Sequence, residues 1–216
     1  MRIAFATAAP PSSPPNESLP ELIIAAPRIG GGLFETIPPS ARAATAAGQG
    51  KWTYDSGMTL YATQLAVAPD TICDIAHAYF RSVFSDLAGK ALYRIWSFVP
   101  DINQGDGDDE VYRRFCLGRS RAYEEYFSDD SERYMAAGSC VGCSGNAMTI
   151  LALSGSEQPA HFENPNQVPA YRYPREYGPK APSFARASKV RLGDTRYRFI
   201  SGTAAVLDGS EATGSY

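Results

Sequence analysis

Two segments of the sequence carry the apolar periodicity of an α-helix, and the segment between them predicts a buried strand. Apolar residues recur at helical spacing over 72–87, where Gly89 ends the pattern, and again over about 110–127. Acidic residues precede the second segment, where they suit the positive end of a helix dipole. The run 92–99 is mostly apolar and stops at Pro100, which is typical of a strand covered on both faces.

Short strands are predicted on both sides of these helices. Their residues are β-branched or aromatic and are bounded by turn residues. The predicted strands are 33–37, 51–54, 59–63, 147–153, 160–163, 188–192 and 197–207. No helical pattern follows residue 135, so the sequence predicts an α+β fold in which both helices come from the first part of the chain.

The composition argues against a nucleic-acid-binding, a membrane-spanning and a secreted protein. The 216 residues include 20 Lys and Arg against 23 Asp and Glu, whereas a dedicated nucleic-acid binder usually carries a basic surplus. No apolar run reaches the roughly 18 residues of a membrane-spanning helix, and prolines in residues 8–20 interrupt the apolar N-terminus, which argues against a secretory signal. We therefore expect a cytoplasmic protein with reduced thiols and with neither a nucleic-acid nor a membrane partner.

Four potential metal ligands form a pattern that deserves comparison with known metal sites. Cys140 and Cys143 are separated by two residues, and Cys73 and His77 lie four apart on the first predicted helix, so a zinc site is conceivable. However, a redox Cys-x-x-Cys motif opens a helix, whereas this one precedes a predicted strand, and the second pair lacks zinc-finger spacing. We therefore favour small buried thiols and predict no metal.

The segment 171–191 is the most unusual of the chain, because it combines positive charge, aromatic rings and three prolines. It has one acidic residue, Glu176, and six basic ones. The basic residues are Arg172, Arg175, Lys180, Arg186, Lys189 and Arg191. This combination suggests an anionic ligand that carries a ring. The alternative is an exposed basic loop whose tyrosines pack on the sheet, and single-stranded nucleic acid is a minor third interpretation.

A further basic residue belongs to the second predicted helix. Phe115 and Ala122 lie on its apolar face, and Arg119 is the arginine nearest to that face. For an arginine at the edge of an apolar face, we interpret the side chain as extending to solvent.

Several segments together resemble the chorismatase family. They are RIWSFVPDIN at 94–103, LGRSRAYEE at 117–125, ENP at 163–165, YRYPREYGP at 171–179 and ISGTA at 200–204. Their order and spacing match over about residues 90–206, and the Tyr/Pro stretch is the most specific of them.

The resemblance implies both an activity and a fold. Family members convert chorismate into pyruvate and a ring product, either a dihydroxycyclohexadiene carboxylate or 3-hydroxybenzoate, for secondary metabolism, and they need no metal or organic cofactor. Their fold consists of two fused α+β units of the Rid (YjgF-like) type, each a mixed sheet with two helices. On this basis we expect an N-terminal unit over 1–135 and a partial second unit over 136–216 that carries the pocket strands and the basic loop.

The resemblance also implies a set of substrate-binding residues. Arg119 would contact the ligand, which speaks against the solvent-exposed interpretation, and Tyr171, Arg175 and Tyr177 would contact carboxylates or the ring hydroxyl. Ala204 would line the pocket where branches of the family differ in product. The remaining members of the predicted set are Arg186 and Thr203.

No catalytic residue is predicted, because the glutamate that serves the family as general acid belongs to a C-terminal segment with no counterpart in this sequence. The expected activity is therefore low, and the alternative is a catalytically impaired, truncated protein that binds anions or serves in assembly. A Rid-like hydrolase of imines is a weaker third hypothesis. We also expect the strands of the second unit to leave an apolar face uncovered, which self-association or a partner would cover.

Overall fold

The computed structural model describes residues 2–5, 21–24, 34–36, 44–48, 50–54 and 56–202. Its strands are β1 (Arg2–Phe5), β2 (Glu21–Ile24), β3 (Phe34–Thr36), β4 (Ala44–Gly48), β5 (Lys51–Tyr54), β6 (Thr59–Ala66), β7 (Ala91–Pro100), β8 (Ala137–Cys143), β9 (Ala147–Gly155), β10 (Ala160–Phe162), β11 (Ala187–Leu192) and β12 (Thr195–Ile200). Its helices are α1 (Ile72–Asp86) and α2 (Val111–Phe127). Both predicted helices and the buried strand between them are thereby confirmed.

Six strands form the central sheet in the order β4-β5-β6-β9-β7-β8. All neighbours are antiparallel except β7 and β8, which run parallel. The sheet crosses the expected unit boundary at residue 135, because β9 lies between β6 and β7 and β8 forms the edge beyond β7.

Strand β8 was not predicted from the sequence. Its residues are AGSCVGC, and such small side chains give none of the β-branched or aromatic signal that marks a strand. The partner decides its conformation, since β8 pairs with the strongly apolar β7 over its whole length. Strand β12 ends earlier than predicted, at Ile200. Of the rest of the predicted strand 197–207, residues 201–202 are not in a strand, and residues 203–207 lie outside the described residues.

Both helices cover one face of the central sheet. Phe80 of α1 and Phe115 of α2 pack with Ile95 and Ile150 of the sheet in one buried cluster. The two helices approach closely at Gly118, where an added Cβ would lie 2.1 Å from the carbonyl oxygen of Cys73. A side chain at position 118 would therefore force the helices apart.

The other face of the central sheet is covered by strands. In the three-stranded sheet β10-β11-β12, Val190 and Phe199 are buried against Leu60 and Leu151 of the central sheet. A second three-stranded sheet, in the order β2-β1-β3, contributes the buried side chain of Ile24 to the same cluster.

The outward face of the β11–β12 hairpin differs from the expectation of an uncovered apolar surface. Lys189 lies opposite Arg198, and Arg191 lies opposite Arg196, and all four are exposed. An exposed apolar side chain accompanies them at the end of β12, where Ile200 is 73% exposed. The expectation was wrong because the alternation of side chains places the apolar residues of this hairpin on the covered face.

Candidate functional site

A cavity of about 410 Å³ lies beside the edge strand β8, within the size range of small-molecule sites. Helix α2 forms one wall, β8 the second, and the segment that follows β10 the third. The lining residues are Tyr112, Arg119, Gly138, Ser139, Cys140, Val141, Tyr173, Tyr177, Pro182, Phe184 and Gly202. Of the predicted substrate-binding residues, the cavity brings together Arg119 and Tyr177.

Arg119 is the one charged side chain among these lining residues. It is 1% exposed, so the interpretation as a solvent-exposed side chain was wrong. The close packing of α2 on α1 at Gly118 carries the neighbouring residue into the interior. Its guanidinium lies 5.2 Å from the ring centre of Phe115 and 6.0 Å from that of Phe184, where each aromatic face attracts a cation.

The groups around Arg119 do not neutralise its charge. Its Nη2 donates a weak hydrogen bond to Cys116 Sγ at 3.9 Å, and its buried Nε has no hydrogen-bond partner among the described residues. Burial raises the pKa of the Cys116 thiol, although the nearby Arg119 opposes the shift, and burial also raises the pKa values of Tyr112 and Cys140. The cavity is therefore lined by neutral donors around one buried cation, which favours an anionic ligand.

Tyr173 and Tyr177 enter the cavity from the basic segment. Their ring centres are 5.4 Å apart, and Tyr177 remains 43% exposed. The buried Arg186 supports this wall, since its Nη2 contacts the Tyr173 hydroxyl at 3.2 Å and donates to the Val168 carbonyl at 2.9 Å. Arg186 thus lies behind the cavity wall, and its Nε is 3.7 Å from a carboxylate oxygen of Glu163.

The other cations of the basic segment form exposed ion pairs. Arg175 makes a two-pronged contact with Asp108, in which Nη1 donates to Oδ1 at 2.9 Å. Arg172 Nη2 donates to Glu132 at 2.7 Å, and Lys180 Nζ donates to Glu124 at 2.7 Å. These side chains tie the segment to α2 and its flanking turns. The structure therefore places Arg175 outside the cavity.

One further predicted residue of the described part of the chain does not line the cavity. Tyr171 is half-buried and packs against the core beneath the helices, and burial raises its pKa. Thr203 and Ala204 lie outside the described residues, directly after Gly202, which does line the cavity.

Several residues that line the cavity were not predicted from the sequence. Tyr173 and Phe184 belong to the segment that was singled out, but nothing there distinguishes inward from outward side chains. Ser139 and Cys140 belong to strand β8, which was not predicted.

The two cysteines of β8 point to opposite faces of the sheet, because residues three apart on a strand face opposite sides. Cys140 packs against the core on the helix-covered face, and Cys143 packs against the core on the other face.

This arrangement of thiols prevents the two cysteines from binding one metal ion together. Across the residues that the structure describes, no three His, Cys, Asp or Glu side chains form a group that could hold a metal. Neither α1 nor α2, the two α-helices of the described residues, has the length and apolar content that a membrane-spanning segment requires.

A second cavity, of about 430 Å³, lies near the C-terminal end of α1. Lys90, Tyr126, Tyr134 and His161 contribute to its lining, and none of the predicted substrate-binding residues does. Lys90 Nζ donates to Thr59 Oγ1 at 2.9 Å. We therefore take the cavity beside β8 as the candidate site.

Comparison with known proteins assigns the family. The family model described as "Chorismatase FkbO/Hyg5-like, N-terminal" matches residues 38–154. The chain belongs to this chorismatase family. The matched residues include the central strands, both helices and β8, and therefore most of two walls of the cavity.

The relatives of this chorismatase-family chain are similar over part of their length. A 3-hydroxybenzoate synthase of Streptomyces hygroscopicus is 38% identical over 138 residues, covering 61% of this chain and 40% of the relative. A chorismatase of the same species is 36% identical over 140 residues, covering 62% of this chain and 40% of the relative. A crystal structure of a chorismatase matches with a TM-score of 0.75 and 24% identity. That match covers 98% of this chain and 65% of the solved one, so it supports the fold.

Proposed function

We propose that the cavity beside β8 binds chorismate and that the protein takes part in releasing pyruvate from it. The ring product would be a dihydroxycyclohexadiene carboxylate or a hydroxybenzoate for secondary metabolism. The observation that carries the proposal is Arg119, a buried guanidinium that faces the cavity. The names of the relatives, chorismatase and 3-hydroxybenzoate synthase, support the same substrate.

The lining residues suit each part of such a ligand. Arg119 would bind one carboxylate, since a guanidinium matches a carboxylate with two parallel hydrogen bonds. Phe184 and Pro182 would pack against the ring and exclude water, which strengthens the charge interaction. The hydroxyls of Tyr112 and Tyr177 would orient the polar groups of the ring.

Proton transfer to the enol ether needs an acid that the described lining does not supply. No Asp, Glu or His is among the residues that the structure places around the cavity, and the raised pKa values of Tyr112 and Cys140 make these groups weak acids. General acid catalysis contributes roughly 10²–10⁴-fold. This observation favours a second candidate function, in which the described residues bind chorismate without turnover.

A single assay separates the two functions. We would incubate the purified chain with chorismate and follow pyruvate with a coupled dehydrogenase, while calorimetry measures binding. Pyruvate release well above the spontaneous rate supports the enzyme, and binding without pyruvate supports the second candidate. If chorismate does not bind at all, both are wrong.

Three related proposals concern the whole protein. We infer two Rid-type units, as the resemblance implies, but we place their boundary between β9 and β10 instead of at residue 135. The pairing of β8 and β9 within the central sheet supports this later boundary. Self-association or a partner is a further proposal, supported by Ile200, which is exposed at the end of β12 although the rest of the outward face is basic. Light scattering would test self-association. A cytoplasmic location is supported by the four free cysteines, the state expected in a reducing compartment.

A further inference from the structure

Ser139 lines the cavity and accepts two hydrogen bonds, and it has no role in the function proposed above. It is half-buried on β8 and lines the cavity. Its Oγ accepts a hydrogen bond from Arg94 Nη2 at 2.7 Å and another from the Gly202 backbone N–H at 2.9 Å.

These two contacts determine which hydrogen-bonding position of the Ser139 hydroxyl remains available to a ligand. A serine hydroxyl has two acceptor positions and one hydrogen to donate. Arg94 and Gly202 occupy both acceptor positions, and the described residues offer no acceptor for the remaining hydrogen. Ser139 therefore acts toward the cavity as a hydrogen-bond donor.

Arg94 makes this donor stronger than an ordinary serine. It is 6% exposed, its guanidinium lies 5.1 Å from the Trp96 ring centre, and no carboxylate pairs with it in the described part of the chain. Burial lowers its pKa to about 10, which leaves it charged at neutral pH. A buried cation that donates to a hydroxyl polarises the O–H bond, and hydrogen bonds in such a chain strengthen one another.

Ser139 and Arg119 approach the cavity from opposite sides of the edge strand. Arg119 comes from α2 on the helix-covered face of the sheet, whereas Arg94 and Trp96 flank Ser139 from the face toward the hairpin β11–β12. A ligand between them would meet a cation on one side and a polarised hydroxyl on the other.

We propose that Ser139 donates a hydrogen bond to one carboxylate of the bound ligand, while Arg119 binds the other, and that Arg94 is a positioning residue that polarises Ser139. The ligand class is thereby a ring dicarboxylate held at two points. This inference rests on the proposed function, because it assumes that chorismate occupies the cavity.

The test compares chorismate binding by calorimetry in the full 216-residue chain and in Ser139→Ala. The dissociation constant should rise roughly 10- to 100-fold, the range for a hydrogen bond to a charged group. Ser144→Ala, in the exposed turn after β8, is the matched control and should bind like the wild type. Ser139→Cys, which keeps the size but donates weakly, should also bind more weakly and serves if Ser139→Ala does not fold.

The role of Arg94 needs a double-mutant cycle. Arg94→Met should weaken binding in the wild-type background and have no further effect in Ser139→Ala, whereas a purely structural residue would weaken both equally. Arg94→Lys, which keeps a charged donor, should restore part of the affinity.

The outcomes distinguish this inference from the proposed function. If the wild type does not bind chorismate, both are overturned. If the wild type binds and Ser139→Ala binds equally well, the role of Ser139 alone is overturned.

Discussion

Two groups of arginines in this protein have opposite environments. Arg94 and Arg119 are buried at the edge strand β8 with no carboxylate partner among the described residues. Arg172 and Arg175 are exposed in the basic segment, and each is paired with a carboxylate. In the sequence, however, the second group is conspicuous, whereas Arg94 is a single cation in an apolar run and Arg119 is one of four arginines in α2.

The difference shows which property marks an anion site. A cluster of positive charge in the sequence need not be available to a ligand, because acidic residues elsewhere in the chain can neutralise it. A buried guanidinium without a carboxylate is energetically costly, and an anionic ligand offsets that cost. The buried arginines without a carboxylate partner among the described residues are therefore the better candidates. The paired ones attach the wall of the cavity to α2 and its flanking turns.

Replacing the cavity arginine gives the largest expected effect. In Arg119→Met, the dissociation constant for chorismate should rise by roughly 10²- to 10⁴-fold, because both hydrogen bonds from the guanidinium to the carboxylate are lost. The free energy of unfolding should stay the same or increase, because replacing a buried unpaired charge by an apolar side chain removes its desolvation cost. Calorimetry and urea unfolding would measure the two quantities.

A second arginine of the same helix provides the control. Arg121 is partly exposed and its Nη1 lies 3.5 Å from Asp74, so Arg121→Met should bind chorismate as the wild type does. Equal losses in both variants would mean that overall charge, rather than the buried position of Arg119, determines binding.

The burial of Arg119 depends on the contact between the helices, which gives the next prediction. In Gly118→Ala the added methyl group would overlap the Cys73 carbonyl, so α2 must move. We expect a loss of about 1–3 kcal/mol in the free energy of unfolding, the usual cost of overpacking. Thermal unfolding would measure it, with Arg121→Ala on the same helix as the control. An unchanged melting temperature for Gly118→Ala would show that the helices separate without cost.

The sequence predicted the parts of the fold that are set by strong apolar patterns. The helices were found because their apolar residues recur with a helical period, and β7 because the run 92–99 is mostly apolar and stops at Pro100. Strand β8 was missed because its small residues take their conformation from β7, a partner distant in the sequence. Since β8 is one wall of the cavity, Ser139 and Cys140 were missed with it.

The candidate site was predicted in part for a related reason. The periodicity placed Arg119 beside the apolar face, but the depth of its burial depends on how closely α2 approaches α1, which the sequence of one helix does not determine. Similarly, the charge of the basic segment was evident, whereas its carboxylate partners, such as Asp108 and Glu132, lie 67 and 40 residues away in the chain.

The smallest expected effect concerns the exposed pair of Arg175 and Asp108. Arg175→Ala should change chorismate binding much less than Arg119→Met, and the change should diminish as salt is added, because salt screens exposed charges. Asp108→Asn removes the same pair from its other side and should give the same result.

The pH dependence of this pair has a defined sign. Hydrogen bonding to Arg175 lowers the pKa of Asp108 below its ordinary value of 3.8, so the pair stabilises the fold above that pH and the contribution is lost as the pH falls through the lower folded value. Urea unfolding should therefore show a small difference between wild type and Arg175→Ala at neutral pH that disappears in acid. If Arg175→Ala instead weakens chorismate binding as strongly as Arg119→Met, Arg175 must leave Asp108 when the ligand binds. The contrast between buried and paired arginines would then describe only the unliganded protein.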